Sequence, residues 1–250
     1  MNKVQIIILA AGKGVRMQSK EPKALTLLAG KPFLKHILDT IKKLDTNIKP
    51  IIVVGYKKER IQEVLGRDHA YAEQHEQLGT GHAVMSAKNN MLKGHDTVLV
   101  ISADQPLVSK ETLENILAVQ KEKKPAITIA AVSVPDFLDW RTGLNNFGRI
   151  IRENNRRVKK IVEYKDASAE EKVVKELNLA LYAFDAKWLW ENIDKLQNEN
   201  VQGEYYLTDL VKLACDQDEK IETVPVYNIL EALQPNSREE LEILEKLVVE

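Results

Sequence analysis

Two glycines, an arginine and a lysine (Gly12, Gly14, Arg16 and Lys23) follow closely on the apolar run VQIIILAA, residues 4–11 of a 250-residue chain. Glycines let the backbone approach an anion and turn successive amides towards it, and Arg16 adds a planar, permanently charged fork. Pro22 fixes the backbone ahead of Lys23 and so aims a second positive charge back at the same place. This chemistry suits a triphosphate cradle. Ala10 and Ala11, small residues at the end of the run, leave room for a flat base. Asp104 ends a second apolar run, VLVISAD, and a carboxylate at the carboxyl edge of a sheet is placed to meet a ligand.

Two familiar phosphate loops fail on spacing. A Walker loop needs Lys and then Ser or Thr after its last glycine, whereas Gly14 is followed by Val15. The dinucleotide fingerprint needs a third glycine where Met17 stands, and a ribose-binding acid after the second strand, where the chain offers Gly55 and Tyr56.

The elements that must position these groups alternate. VQIIILA, PIIVVG, DTVLVIS and AITIAAVSV are short unbroken apolar runs, as in strands covered on both faces. Between them lie helical patterns: KPFLKHILDTIKKL with an apolar stripe through Phe33, Ile37, Leu38, Ile41 and Leu44, KKERIQEVLG ending at Gly66, and SKETLENILAVQKEK capped by Ser109. Alternation up to residue 134 predicts right-handed crossovers and a three-layer α/β/α, Rossmann-like mixed sheet. After Pro135, FGRIIRE, RRVKKIVEY and LNLALYAF predict closely spaced strands, with a short capped helix from Ser168 to Glu176. We expect a small antiparallel β extension there, walling the carboxyl edge of the sheet. The final NSREELEILEKLVVE is helical in period. The expectation is a single domain over 1–250, with a nucleotide-binding part (1–134) and a second part with a closing helix (135–250).

Composition bounds the partners. With 36 basic and 37 acidic residues no global field recruits nucleic acid or an anionic membrane, so an anion must be caught locally. The clusters KKER, KEKK and RRVKK read as solvated faces. The single cysteine, Cys215, lies in a helical apolar pattern and is expected to be a buried, inert thiol in a reducing, cytoplasmic setting. No apolar run approaches the roughly 20 residues that span a bilayer, and membrane insertion is not expected.

In order along the chain, LAAGKGVRM, EPKAL, AEQHEQLGTGHAV, SADQPL, FGRIIREN, IVEYKDA, GEYYLTDL and PNSREEL resemble the uridylyltransferase half of bifunctional N-acetylglucosamine-1-phosphate uridylyltransferases, within the sugar-1-phosphate nucleotidyltransferase superfamily. The resemblance implies transfer of a uridylyl group from UTP to N-acetylglucosamine 1-phosphate with Mg2+, in nucleotide-sugar synthesis. It implies Leu9, Ala10, Ala11, Gly12, Gly14, Gln74, Gly79, Thr80, Ser102 and Ala103 around the nucleotide, with Arg16, Lys23 and Asp104 catalytic. It further implies Gly148, Glu163, Asn178, Tyr206 and Thr208 around the sugar, and Asp104 with Asn236 on the metal. A carboxamide at Gln74 suits uracil but rotates to suit cytosine, so a relative using another base or acceptor stays open. A noncatalytic, nucleotide-sensing relative is expected to lose its charged positions, and Arg16, Lys23, Asp104 and Asn236 are all present. His82, within GTGHAV, is expected to pack rather than to bind.

The chain departs from that family pattern at several points. Val15 stands for a threonine, Glu21 for an apolar residue, Ala103 for a glycine, and Leu179–Ala180 for Thr-Gly after Asn178, which raises the question of a different sugar. The segment PDFLDWRTGLNN is longer than usual. The hexapeptide β-helix that carries acetyltransferase activity in the bifunctional enzymes is not expected here, nor is trimer formation through it.

Overall fold

The computed structural model describes residues 3–14, 20–44, 49–66, 68–90 and 94–249. Its strands are Val4–Leu9 (β1), Leu27–Leu28 (β2), Lys31–Pro32 (β3), Ile51–Val54 (β4), Ala70–Glu73 (β5), Thr97–Ser102 (β6), Ile127–Ser133 (β7), Arg149–Arg152 (β8), Val158–Val162 (β9), Glu176–Asp185 (β10) and Ile221–Val226 (β11). Its α-helices are Phe33–Lys42 (α1), Lys58–Leu65 (α2), Thr80–Ala87 (α3), Lys110–Lys123 (α4), Ala169–Lys172 (α5), Ala186–Asn192 (α6), Asp209–Asp216 (α7) and Arg238–Val249 (α8).

The main sheet runs β11-β7-β10-β6-β1-β4-β5. It is parallel except where β10 pairs antiparallel with both β6 and β7. Successive residues of a strand face opposite sides. Ile6 and Ile8 therefore pack with α1, α4 and α8 on one face, through Leu34, Ile37, Ile116 and Leu244. Ile7 packs with α3, α6 and α7 on the other, through Val84, Leu189 and Leu210. This is a three-layer α/β/α sandwich on a mixed sheet. The antiparallel pair β8–β9 hangs from β10.

Local chemistry explains the element ends. Ser109 Oγ accepts the Thr112 amide at the start of α4, and Gly66 closes α2 with φ of +88°. Ser168 and Glu171 form a capping box, yet α5 ends at Lys172 rather than at Glu176, because the chain already enters β10 there. The edge strand β5 escapes the apolar-run criterion since only Ala72 of its residues is buried. Cys215 is half-buried rather than enclosed; its thiol donates to the Val158 carbonyl at 3.1 Å, and burial pushes its pKa up.

Two features of the sheet place the ligand-facing residues. First, β1 and β6 are parallel neighbours with Leu9 opposite Ser102, so the turns after them leave the same edge side by side. Second, β10 carries a bulge: its register with β7 shifts between Asn178 and Tyr182. Leu179 turns into the core, and its carbonyl accepts from Gln234 Nε2 at 3.1 Å and from the buried Gln105 side chain. Ala180 is forced to φ of +55°, a left-handed conformation that costs an L-residue with a Cβ about 1–2 kcal/mol. A glycine at this position avoids that cost, which accounts physically for the Thr-Gly pattern after Asn178. We expect Ala180→Gly to raise stability by about 1 kcal/mol, net of the added freedom of the unfolded chain, measured as an increased urea midpoint at unchanged slope.

Candidate active site

The crevice outside β1 and β6 holds a cavity of about 260 Å³. Its walls include Leu9, Ala10, Ala11, Gly12, Lys23, Gln74, Gly79, Thr80, Ser102, Ala103 and Asp104, residues singled out from sequence and separated by up to 95 positions. The alanines bring no bulk, and a Cβ added to Gly12 would meet no protein atom within 4 Å. The opening glycine therefore leaves space in the cavity rather than relieving a packing clash. Gly14 differs: its φ is +62°, and a Cβ there would lie 2.8 Å from Lys23 Cβ. Arg16 lies outside the described residues.

Lys23 follows Pro22 into a single 3-10 turn, as the fixed proline backbone favours. Its ammonium donates to Asp104 Oδ2 at 2.5 Å and to Asn236 Oδ1 at 2.6 Å. Three distant chain positions thus meet at one point. Asn236 is itself held by its backbone amide donating to Glu240 Oε2 at 2.7 Å, in the first turn of α8. The other carboxylate oxygen, Asp104 Oδ1, is buried and has no hydrogen-bond partner among the described residues. A buried open oxygen is costly unless something binds it. Carboxylate and carboxamide oxygens are hard donors of the kind magnesium takes, and magnesium keeps few protein ligands. Among the described residues no group of three or more His, Cys, Asp or Glu side chains is placed to hold an ion. The open Asp104 Oδ1 therefore fits a cation that completes its shell from phosphate and water, with Asn236 Oδ1 joining it once Lys23 turns to the phosphates.

The base end is built from the turn before α3. Gln74 is buried, and its Nε2 donates to the Gly79 carbonyl at 3.0 Å and lies 3.2 Å from His82 Nδ1. Gly79 has φ of +103°, and a Cβ there would stand 2.7 Å from the Tyr205 carbonyl. The segment after Gly203 docks against this turn: Tyr205 N donates to Leu78 O, Gly81 N to Tyr205 O, and Leu207 N to Thr80 Oγ1, at 2.8, 2.8 and 3.0 Å. Gln77, Ala24, Ala83 and Glu204 also line the cavity, and sequence alone does not single them out. Gln77 lies within the AEQHEQLGTG stretch, whereas nothing local marks Glu204. His82 is more than the packing residue its sequence context suggests, since the structure gives it a polar partner.

The same docked segment reaches a second, polar cavity of about 150 Å³, lined by Asn146, Glu163, Tyr164, Lys165, Gln202 and Tyr206. Glu163 and Tyr206 are thus on its wall. Gly148, Asn178 and Thr208 stand behind Glu163: Thr208 Oγ1 donates to Glu163 Oε1 at 3.2 Å, and a Cβ on Gly148 would lie 3.4 Å from that oxygen and 3.6 Å from Asn178 Cβ. Asn178 spends its amide on the bulge, donating to Tyr182 Oη at 2.6 Å and accepting from Ala180 N at 3.1 Å. Leu179 is in the core and is not part of the wall of this cavity. Beneath lies Arg149, fully buried between the Phe137 and Tyr164 rings at 5.0 Å each, with Asn145 Oδ1 accepting from it at 2.8 Å. Burial lowers the Arg149 pKa.

Burial also dominates Glu163. It pushes the carboxyl above its ordinary value of 4.5, with Asp209 and Asp166 adding to the rise, against the Thr208 hydrogen bond and the Arg149 charge. An acid raised in the folded state stabilises the fold in its neutral form. That contribution is complete below the ordinary range and is lost as pH rises through the raised value. Glu163→Gln, which cannot ionise, is expected to match the parent in urea midpoint below the ordinary carboxyl range and to exceed it increasingly as pH rises above that range, until the raised value is passed.

Comparisons with known proteins give the chain a family and a fold. A family model described as a MobA-like NTP transferase domain matches residues 6–176. The bifunctional protein GlmU of Bacillus licheniformis is 41% identical over 238 residues, 95% of this chain and 50% of that protein. GlmU of Listeria innocua is 39% identical over 248 residues, 99% of this chain and 52% of that protein. The chain spans about half the length of these curated relatives. Among solved structures, UDP-glucose pyrophosphorylase complexed with UDP-glucose superposes with a TM-score of 0.77 at 15% identity, covering 100% of this chain and 99% of that one. The 4-diphosphocytidyl-2C-methyl-D-erythritol synthase of Anaerococcus prevotii superposes at 0.67 with 17% identity, again over 100% and 99%. At such identities these two establish the fold.

Proposed function

The chain belongs to the MobA-like NTP transferase domain family, a nucleotidyltransferase family, and we propose that it transfers a uridylyl group from UTP to N-acetylglucosamine 1-phosphate, releasing pyrophosphate. The observation that most supports this reading is the Lys23 ammonium between Asp104 and Asn236, at the mouth of a cavity walled by Ala10, Ala11 and Gln74. The GlmU likeness along the whole chain supports the choice of uracil and of the amino sugar.

A sugar phosphate oxygen is already anionic, so its attack on the α-phosphorus of the nucleotide needs no general base. The barrier is charge repulsion and alignment. Gly12 leaves space for the phosphates, Lys23 compensates their charge, and Arg16 supplies a second fixed cation by the sequence argument. Asp104 and Asn236 would hold magnesium, whose part when bound is to neutralise the phosphate charge. Glu163 and Tyr206, in the polar cavity, would hydrogen-bond the sugar hydroxyls, which donate and accept together. No helix among the described residues is long and apolar enough to cross a membrane, and both substrates in this reading are water-soluble phosphates.

The test is pyrophosphate release over a grid of nucleoside triphosphates and sugar 1-phosphates, with and without magnesium. UTP with N-acetylglucosamine 1-phosphate and magnesium is expected to be fastest. Asp104→Asn and Arg16→Ala are each expected to lower turnover about 100-fold or more, as the loss of other groups that stabilise transition-state charge does. The urea midpoint of Arg16→Ala should stay close to the parent's, whereas that of Asp104→Asn should fall because Lys23 loses its charge partner, so turnover is compared well below either midpoint. Near-normal turnover in both variants would sink the mechanism.

A further inference from the structure

We propose that His82 is a positioning residue that locks the Gln74 carboxamide in one orientation and thereby selects uracil over cytosine. The lock rests on the proposed reading of this cavity as a uridine-nucleotide site, and it is the device that sets the base.

The Gly79 carbonyl can only accept a hydrogen bond, so the group facing it at 3.0 Å must be the Gln74 amide nitrogen and not its oxygen. The same nitrogen lies 3.2 Å from His82 Nδ1. With one amide proton on Gly79, the other points to His82, whose Nδ1 must then be the bare, accepting nitrogen with its proton on Nε2. Both amide protons are committed to the protein. The Gln74 oxygen has no partner among the described residues, on a side chain that lines the cavity.

The backbone is equally fixed. Gln74 N donates to the Val54 carbonyl at 2.8 Å, and Gln74 O accepts from Gln77 Nε2 at 3.2 Å. Close packing leaves little slack, because a Cβ on Gly55 would come within 3.0 Å of both Gln74 O and Ala11 Cβ. A carboxamide is ambivalent in isolation, since turning it over exchanges donor for acceptor. Here turning it over would place oxygen against the Gly79 carbonyl, a repulsion in place of a hydrogen bond, and would oblige His82 to move its proton from Nε2 to Nδ1 before it could pair with that oxygen.

The cavity therefore offers the base an acceptor at this point. Uracil presents a ring N–H there, whereas cytosine presents a bare ring nitrogen, and two acceptors repel. Without an acceptor at position 82 the amide keeps only one of its two wall contacts and turns more readily to suit either base.

Two substitutions separate this role from packing. His82→Phe keeps a ring near Tyr205, whose centroid lies 6.3 Å from that of His82, but removes the acceptor. His82→Asn gives up the ring but returns an oxygen acceptor close to the place of Nδ1. Initial rates of pyrophosphate release with UTP and with CTP give the ratio of kcat/KM for each protein, and calorimetric binding of the two nucleotides gives the same discrimination without turnover. We expect the UTP preference to fall about tenfold or more in His82→Phe, chiefly through a higher KM for UTP, and to persist in His82→Asn. A preference retained in the Phe variant, or lost in the Asn variant as in Phe, overturns the lock. If His82→Phe fails to fold, the Asn variant decides alone. Parent protein that binds UTP over CTP but forms no product overturns the proposed reaction and leaves the lock standing, whereas parent protein that prefers CTP overturns the lock.

Discussion

One ammonium group holds the site together. Lys23 donates to a carboxylate 81 positions along the chain and to a carboxamide 213 positions along it. These partners come from the turn after β6 and from the approach to α8, so the contact closes the molecule as well as its cavity. A pair this enclosed contributes only while both charges are present, since a lone buried charge is strongly destabilising. It also fixes the electrostatics of the rim. The cation lies beside an oxygen, Asp104 Oδ1, that the protein itself does not satisfy.

The second constraint is the docking of the segment after Gly203 on the turn that carries Gly79. Backbone hydrogen bonds in both directions, and the absence of a Cβ at Gly79 and Gly81, bring the two within van der Waals contact. Glu204 then faces the larger cavity while Gln202 and Tyr206 face the polar one. The two cavities thus share a wall, residues 202–206.

Much of this architecture is legible in sequence because it obeys local rules. The unbroken apolar runs require burial on both faces, and the caps at Ser109, Gly66 and Ser168 come from the chemistry of helix ends. The glycine loop, Lys23 and Asp104 can be placed at one sheet edge because parallel strands deliver their carboxyl ends together. Other features are hidden for physical reasons. Strand β5 carries one buried residue and has no pattern to detect. The strain at Ala180 exists only because β10 bulges against β7. The fully buried Arg149 looks like any surface arginine until Phe137 and Tyr164, from separate segments, close over it. Glu204 and His82 acquire their partners from folding alone, and residue type by itself carries no signal for either.

The position of β10 bears on how such a chain assembles. Strands β6 and β7 are consecutive in the main sheet's sequence but are not neighbours in space; β10 lies between them and pairs with both. During synthesis both strands emerge before their common partner, and each must wait with an unpaired, apolar edge until residue 185 has left the ribosome. Non-local pairing of this kind slows folding, and open strand edges invite association with other chains. The central slot of the sheet is therefore the part of the nascent protein with most need of chaperone cover.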